Sequence, residues 1–421
     1  MNAMRLCKGG RWGLVAATLA LLTAQAAAGE PPGEPKWFKG NIHTHSLWSD
    51  GDDFPEMVAD WYKRNGYDFL SLTDHNILSR GAKWVRLTPK TAEALEKCKE
   101  RFGEDWPATR GEGDKMAVRL RTLDELRKLL EEPGKFLLIE GQEVTTTVHL
   151  NVLNVDRVVK PQKGVDAVET TRLNVQAALD LEQAAGRPAY VQFNHPSFAA
   201  AGATAEQLAA VAELAAVEVA NFHPACGAVE RDWDIANSLR LNRGLLPLFG
   251  SAGDDAHNFH EDSPDRSNPG RGFVMVRSAE LSADAIAAAL KRGDFYASCG
   301  VILSRLDFDA KDATLHIEVK AEPGVEYTIE FIGTLDDADL APKPGPDGAP
   351  PPPGRRRTYS PDIGKVLRRI QGASGSYKLT GRELYVRAAV RSNKPLANPS
   401  RNPPRTQEAY TQPVGWEQLA Q

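Results

Sequence analysis

Short apolar runs alternate with amphipathic stretches from residue 37 to about residue 295. The apolar runs are typical of buried strands and predict strands at 38–43, 69–73, 136–140, 149–155, 189–193, 216–221, 246–250 and 273–277. Between them, helical spacing of apolar residues predicts helices at 55–65, 123–131, 175–185, 205–214, 229–241 and 283–291. This β–α alternation predicts an α/β fold with a parallel sheet, most simply a closed barrel.

Helical periodicity disappears after Cys299. Short alternating runs then predict a small antiparallel β domain, with strands at 306–308, 314–320, 327–331, 376–379 and 384–390. Residues 341–358 are rich in proline and predict an exposed loop. We therefore expect a barrel over 37–300, interrupted by a charged insertion at 80–120, and a C-terminal β-rich domain over 301–421.

The first 28 residues have the features of a secretory signal peptide. Arg5, Lys8 and Arg11 precede the apolar run 14–22, and small residues follow it. That run is shorter than the roughly 20 residues that a spanning helix needs, so we expect no stable membrane insertion. The expectation is a signal peptide at 1–28, a linker at 29–36, and an exported protein that is periplasmic or extracellular.

Composition narrows the classes of function. The 421 residues are 42% hydrophobic and 25% charged, as in chains that bury a core. The net charge of −5 argues against a nucleic-acid partner. Removal of the signal peptide would leave only Cys98, Cys226 and Cys299, too few for a disulfide framework, although a Cys226–Cys299 bridge stays open.

Histidines and carboxylates recur where the predicted strands end, and eight of the nine histidines lie between His43 and His260. In an extended segment residues i and i+2 project to the same side, so His43 and His45 can reach one ion. Strand C-termini converge on one face of a β/α barrel. The same face should therefore receive Asp50, His75, Glu143, His149, His195, Asp255 and His257. Two or three divalent ions would compensate these charges; zinc is the expected ion, and manganese or iron also suit the ligands.

In chain order, these motifs resemble the PHP family, the polymerase and histidinol phosphatase domain. The resemblance spans about residues 37–300 and rests on His43-Thr44-His45, Ser49-Asp50-Gly51, Thr73-Asp74-His75-Asn76, Gly141-Gln142-Glu143, Asn194-His195-Pro196 and Asp255-Ala256-His257. It implies a distorted (β/α)7 barrel whose trinuclear metal centre hydrolyses phosphate esters. It also implies a first metal on His43, His45, Glu143 and Asp255, a second bridged by Glu143 and held by His149 and His195, and a third on Asp50, His75 and His257.

At three positions the sequence does not decide the role of an aspartate in the metal site. Asp50 stands where some family members have histidine, which makes this ligand harder. Asp254 and Asp255 follow Gly253 where Gly-Ser-Asp is usual, so either is a candidate ligand, and the i, i+2 relation to His257 favours Asp255. Asp74 is equally compatible with orienting a histidine and with accepting hydrogen bonds at a strand end.

Other residues are candidates for catalysis and substrate binding. His195 and Glu143 are expected to act in catalysis as well as in metal binding. His223 follows the sixth predicted strand and either donates a proton to the leaving group or lies at the rim in solvent. Arg80 and Arg271 lie in loops and are candidate contacts for a substrate phosphate, although most loop arginines are simply solvated.

These observations predict a metal-dependent hydrolase that cleaves phosphate esters with a metal-bridging hydroxide. The expected partner is a small-molecule or polymer phosphate ester. One alternative is an amidase- or lactonase-like metallohydrolase using the same site. The other is a non-catalytic protein that binds glycans or other envelope material, which the filled set of ligand positions disfavours.

Overall fold

The computed structural model describes residues 34–343, 356–402 and 404–417. The predicted signal peptide and most of the proline-rich segment lie outside the described residues. Among the residues described, the α-helices are α1 (Pro55–Arg64), α2 (Pro89–Phe102), α3 (Leu123–Leu130), α4 (Ala167–Ala185), α5 (Ala205–Ala210), α6 (Glu230–Leu241) and α7 (Ala283–Arg292), with a 3-10 turn at Gly113–Lys115. None of these helices has the length and hydropathy needed to cross a bilayer.

The strands of the first part of the chain are β1 (Lys36–Asn41), β2 (Phe69–Leu72), β3 (Trp84–Arg86), β4 (Thr109–Arg110), β5 (Ala117–Arg119), β6 (Leu137–Thr145), β7 (His149–Leu153), β8 (Tyr190–Phe193), β9 (Ala216–Asn221), β10 (Phe249–Gly253), β11 (Phe273–Ser278) and β12 (Phe295–Ser298). Those of the second part are β13 (Leu303–Asp309), β14 (Thr314–Val319), β15 (Tyr327–Leu335), β16 (Lys365–Gln371), β17 (Ser374–Lys378), β18 (Glu383–Pro395) and β19 (Thr406–Tyr410).

One large sheet organises the described chain. Its thirteen strands follow the order β10-β9-β8-β7-β6-β2-β1-β11-β12-β19-β18-β15-β16. Strands β1, β2 and β6 run parallel, as do β8, β9 and β10. Two three-stranded sheets, β13-β14-β17 and β3-β5-β4, are antiparallel. The fold is therefore mixed α/β, with a large sheet, a few helices and small antiparallel sheets.

The strand pairing differs from the expected all-parallel, closed barrel. Strand β7 runs antiparallel to both neighbours, and β11 runs antiparallel to β1. Only residues 146–148 separate β6 from β7, and a parallel connection needs a crossover of a dozen or more residues. The paired order is open at β10 and β16. Beyond the ends of β1 and β10, Thr44 and Ala256 form an isolated parallel bridge.

The C-terminal strands extend the large sheet through the β12–β19 pair and also pack on α6. Asp234 of α6 is buried and accepts hydrogen bonds from the hydroxyl of Tyr385 and from two nitrogens of Arg387, at 2.7–2.8 Å. The Arg387 guanidinium also lies over the ring of Trp233, 4.8 Å from its centroid. Buried charged contacts therefore join the C-terminal strands to the α/β part.

The insertion at 80–120 forms α2 and the β3-β5-β4 sheet, and it supports the loop that carries Asp50. Trp48 of that loop is buried, and its indole N–H donates to the backbone oxygen of Arg121 at 2.9 Å. The ammonium of Lys83 donates to the backbone oxygen of Trp48. Lys83 of the insertion and Arg121, the residue just after it, thus hold this loop in place.

Candidate metal centre

Backbone hydrogen bonds hold the candidate ligands together at one end of the strands. The N–H of Asp255 donates to the backbone oxygen of His43 at 3.0 Å. The N–H of Asn76, just after His75, donates to the backbone oxygen of Glu143 at 2.8 Å. The antiparallel register pairs His149 with Thr145, so the start of β7 lies at the end of β6. The structure therefore brings all nine predicted ligands into one cluster.

The carboxylate of Glu143 lies at the centre of this cluster. It is buried, and its oxygens lie within 3.5 Å of a ring nitrogen in each of the imidazoles of His43, His45, His75, His149 and His195. Glu143 therefore belongs to two of the groups of donor atoms that could hold a metal ion, one with His43 and His195 and one with His75 and His149.

Two aspartates complete the cluster at its other side. The Oδ1 atom of Asp255 lies 3.2 Å from Nε2 of both His43 and His45. The oxygens of Asp50 lie 3.5 Å from Nε2 of His75 and of His257. Asp50 is about half exposed, at 55% of its side chain, so the cluster is open to solvent at this edge.

Buried atoms without hydrogen-bond partners are consistent with metal ions bound among these residues. Among the described residues, Nε2 of His43, Nε2 of His45, Oε2 of Glu143 and Nδ1 of His195 are buried and make no hydrogen bond. Unpaired buried polar atoms cost about 1–3 kcal/mol each, and a metal ion would satisfy the lone pairs among them. Donor atoms within 4.8 Å of one another form four overlapping sets: His45, Asp50, His75 and His257; His43, Glu143 and His195; His43, His45 and Asp255; His75, Glu143 and His149.

The electrostatics of the cluster follow from burial and from these close pairs. Burial lowers the pKa of His43, but the carboxylates around it, Asp255 first, raise this pKa well above its usual value. Burial raises the pKa of Glu143, but the imidazoles, His43 first, hold it well below its usual value. Burial and the neighbouring His257 lower the pKa of His45 to about 3. His45 is therefore neutral, the form in which histidine binds a metal.

Two ligand-bearing positions have strained backbones. His195 has φ of 30° and Asp255 has φ of 50°, in the left-handed region that residues other than glycine rarely adopt. Such a conformation costs about 1–3 kcal/mol and occurs preferentially at functional sites. The strain at His195 and Asp255 accompanies the inward placement of both side chains.

Glu218 of β9 supports the cluster without belonging to the predicted ligand set. Its buried carboxylate lies 2.8 Å from Nδ1 of His43 and accepts the backbone N–H of His195 at 2.9 Å. The hydrogen bond from Nδ1 to Glu218 directs Nε2 of His43 towards a metal, which would displace the second ring proton that the raised pKa favours. The side-chain amide of Asn194 similarly donates to Glu143 at 2.8 Å.

The structure also separates the residues that the sequence left open. Asp255 lies in the cluster, whereas Asp254 is buried behind it and accepts the backbone N–H groups of residues 270–272 at 2.7–2.8 Å. Asp74 accepts hydrogen bonds from the Ser46 N–H and hydroxyl, and from Ser49, so it fixes the turn after His45.

Sequence reasoning missed Thr145, whose hydroxyl oxygen lies 2.5 Å from Nδ1 of His75. Its position two residues after Glu143, on the same side of the strand, was the available signal.

The two arginines expected to bind substrate are engaged elsewhere. Arg80 forms a bidentate pair with Glu140. Arg271 is buried, and its guanidinium donates to the backbone oxygens of Asn398, Arg266 and Ser263 at 2.6–2.8 Å. Arg271 thus uses its donors within the chain, whereas the side chain of Arg80 pairs with Glu140 and is 51% exposed. A contact of either arginine with a substrate phosphate stays a prediction.

His223 lies beside the cluster, with its ring centroid 6.0 Å from that of His257. Its Nδ1 accepts the backbone N–H of Ala225 at 3.1 Å, which leaves the ring proton on Nε2. Burial lowers the pKa of His223, so the ring is neutral near pH 7.

In the described chain, Cys98, Cys226 and Cys299 are buried free thiols, so the Cys226–Cys299 bridge is not formed.

No family model matches the chain, and no curated protein matches it. Among solved structures, it is similar to a two-domain protein from Bacteroides vulgatus that contains a predicted PHP-like metal-dependent phosphoesterase, at 16% identity and a TM-score of 0.38 over 90% of this chain and 95% of the other. It is also similar to a candidate metal-dependent phosphoesterase from Bifidobacterium adolescentis, at 14% identity and a TM-score of 0.28 over 53% of this chain and 89% of the other. Likenesses at these identities and TM-scores do not establish a family.

Proposed function

We propose that the chain is a metal-dependent hydrolase that cleaves phosphate esters. The observation that carries the proposal is the buried Glu143 carboxylate, which has five imidazoles within 3.5 Å and unpartnered donor atoms around it. We propose two or three divalent ions, zinc before manganese or iron, because imidazoles and carboxylates form four overlapping ligand sets. The PHP-type barrel and the division of ligands that the resemblance implies belong to the same proposal.

The bound ions and the side chains of the protein would have different roles in hydrolysis. Bound divalent ions would supply Lewis acidity and a water of lowered pKa. The carboxylates of Glu143, Asp255 and Asp50 would offset the positive charge of those ions. His223 holds its proton at Nε2 and is a hydrogen-bond donor for an oxygen of the substrate. Asp50 lies at the solvent-exposed edge, where substrate would enter.

The remaining expectations stand as proposals on the sequence. The basic, apolar and small residues of 1–28 support export to the periplasm or the extracellular space. The net charge of −5 supports a substrate that is not a nucleic acid. We propose a small-molecule or polymer phosphate ester as the substrate class.

The test compares substrates with different scissile bonds and compares the wild-type protein with two variants. Purified protein is analysed for metal content and assayed on aryl phosphate mono- and diesters, aryl amides and lactones, before and after chelation. We expect hydrolysis of phosphate esters that chelation abolishes and divalent metal restores. His45→Ala should lose both metal and activity while remaining folded, and His316→Ala, on β14 of the small C-terminal sheet, should retain both.

Three outcomes would count against the proposal. An active His45→Ala protein with a full complement of metal would refute the assigned role of this residue. Hydrolysis of amides or lactones in preference to all phosphate esters would favour the alternative of an amidase- or lactonase-like metallohydrolase that uses the same site. Metal binding without any hydrolysis would favour the non-catalytic alternative.

A further inference from the structure

A groove adjoins the cluster at the carboxyl ends of β8 and β9. It has a volume of about 480 Å³ and lies between the loop that follows β8 and residues 227–228, which follow β9. Ser197 and Gly227 join the two loops through hydrogen bonds of 2.9 and 3.0 Å. Ligands of α/β proteins commonly bind in crevices at the carboxyl ends of parallel strands, and this volume suits an organic group of moderate size.

One wall of the groove is shared with the metal cluster. Pro196 and Phe198, which line the groove, lie one and three residues after His195. The ring centroid of Phe198 lies 5.2 Å from that of His195 and 5.9 Å from that of His223. A substrate whose phosphate lies at the cluster can therefore place its organic part along Phe198 and into the groove.

The groove has a single cationic side chain among its lining residues. Arg356, from the C-terminal part of the chain, lines it and pairs with Asp232 at 2.9 Å. Its side chain is 52% exposed, so the guanidinium keeps donors available to a ligand. The neighbouring Arg357 does not line the groove and lies 3.7 Å from Glu206.

We infer that the groove binds the organic part of the substrate and that Arg356 recognises a second anionic group, a carboxylate or a phosphate, at its far end. This inference rests on the proposed phosphoesterase function and narrows its substrate class to phosphate esters with a distal anion. The apolar side chains of Phe198 and Ala203 pack against the carbon skeleton. A guanidinium suits the distal group because its planar donors match a carboxylate or phosphate.

The test uses two matched series of substrates, n-alkyl phosphates and ω-carboxyalkyl phosphates of equal chain length, with kcat/KM measured for each pair. In the wild-type protein we expect the carboxylate to raise kcat/KM by about fivefold to tenfold at the chain length that spans the groove, as one partly exposed charged hydrogen bond allows. In Arg356→Gln the ratio within each pair should fall to about one. Arg357→Gln is the control and should keep the wild-type ratio.

A second variant tests the groove independently of charge. Ala228→Trp narrows the groove and should lower the ratio of kcat/KM for long esters to kcat/KM for methyl phosphate. Equal rates for both wild-type series, or a ratio unchanged in Arg356→Gln, would overturn the inference while leaving the phosphoesterase proposal standing. A wild-type protein inactive on every phosphate ester would reject the proposed function and this inference with it.

Discussion

Replacing Glu218 by glutamine is the sharpest test of how the cluster is built. The carboxylate is buried and lies within 2.9 Å of three nitrogens: Nδ1 of His43, the backbone nitrogen of His195 and the side-chain nitrogen of Asn221. Glutamine has nearly the same shape but a single acceptor oxygen. In Glu218→Gln, either His43 or His195 therefore faces an amide NH2 group instead of an acceptor.

The expected loss of metal affinity follows from the loss of one hydrogen bond. One hydrogen bond to a charged group is worth about 1.5–3 kcal/mol, and a tenfold change in affinity corresponds to about 1.4 kcal/mol. We therefore expect Glu218→Gln to weaken metal binding by about 10- to 100-fold. Groups that orient metal-binding histidines have effects of the same size when they are replaced.

The assay is a competition titration of chelator-stripped protein with zinc and a chromophoric chelator, together with thermal unfolding of the stripped form. Glu140→Gln is the matched control, because Glu140 is a buried carboxylate of β6 that pairs with Arg80 outside the cluster. Wild-type zinc affinity in Glu218→Gln would refute the reasoning. An equal loss in Glu140→Gln would show that any buried carboxylate of the sheet matters alike.

The sequence predicted the cluster because its signal is local. Most ligands lie at or within a few residues of the end of an apolar run, and the i, i+2 spacing of His43 and His45 follows from strand geometry alone. The same rules give the observed bounds of β9, Ala216–Asn221, but they end β6 five residues early, begin β10 three residues early and miss β12. A buried strand is read from its own residues, so no knowledge of its neighbours is needed.

Strand direction and side-chain partners depend on the rest of the chain, and there sequence reasoning fell short. His149 begins a strand, and a parallel β7 would have carried it to the wrong end of the sheet. The short connection at 146–148 makes the pair antiparallel and returns His149 to Glu143, 3.1 Å away. Arg271 looked like a loop cation, but its acceptors include Asn398, far along the chain, which no local pattern encodes.

The remaining predictions concern packing and stability. A Cβ built on Gly253 would lie 2.7 Å from that of His43, so Gly253→Ala should weaken zinc binding about tenfold or more, whereas Gly227→Ala, with nothing within 4 Å, should not. Chelation should lower the melting temperature, because zinc at 100 times its dissociation constant adds about 2.7 kcal/mol; an unchanged melting temperature would contradict this. Asp234→Ala should cost about 3 kcal/mol in urea unfolding, because it removes the bidentate partner of the buried Arg387 guanidinium and leaves it only Glu230, at 3.3 Å. The double variant Asp234→Leu with Arg387→Met should recover most of the lost free energy of unfolding, because neither the aspartate nor the guanidinium charge of this pair is then buried. A loss below 1 kcal/mol in Asp234→Ala would mean that the pair does not join the C-terminal strands to α6.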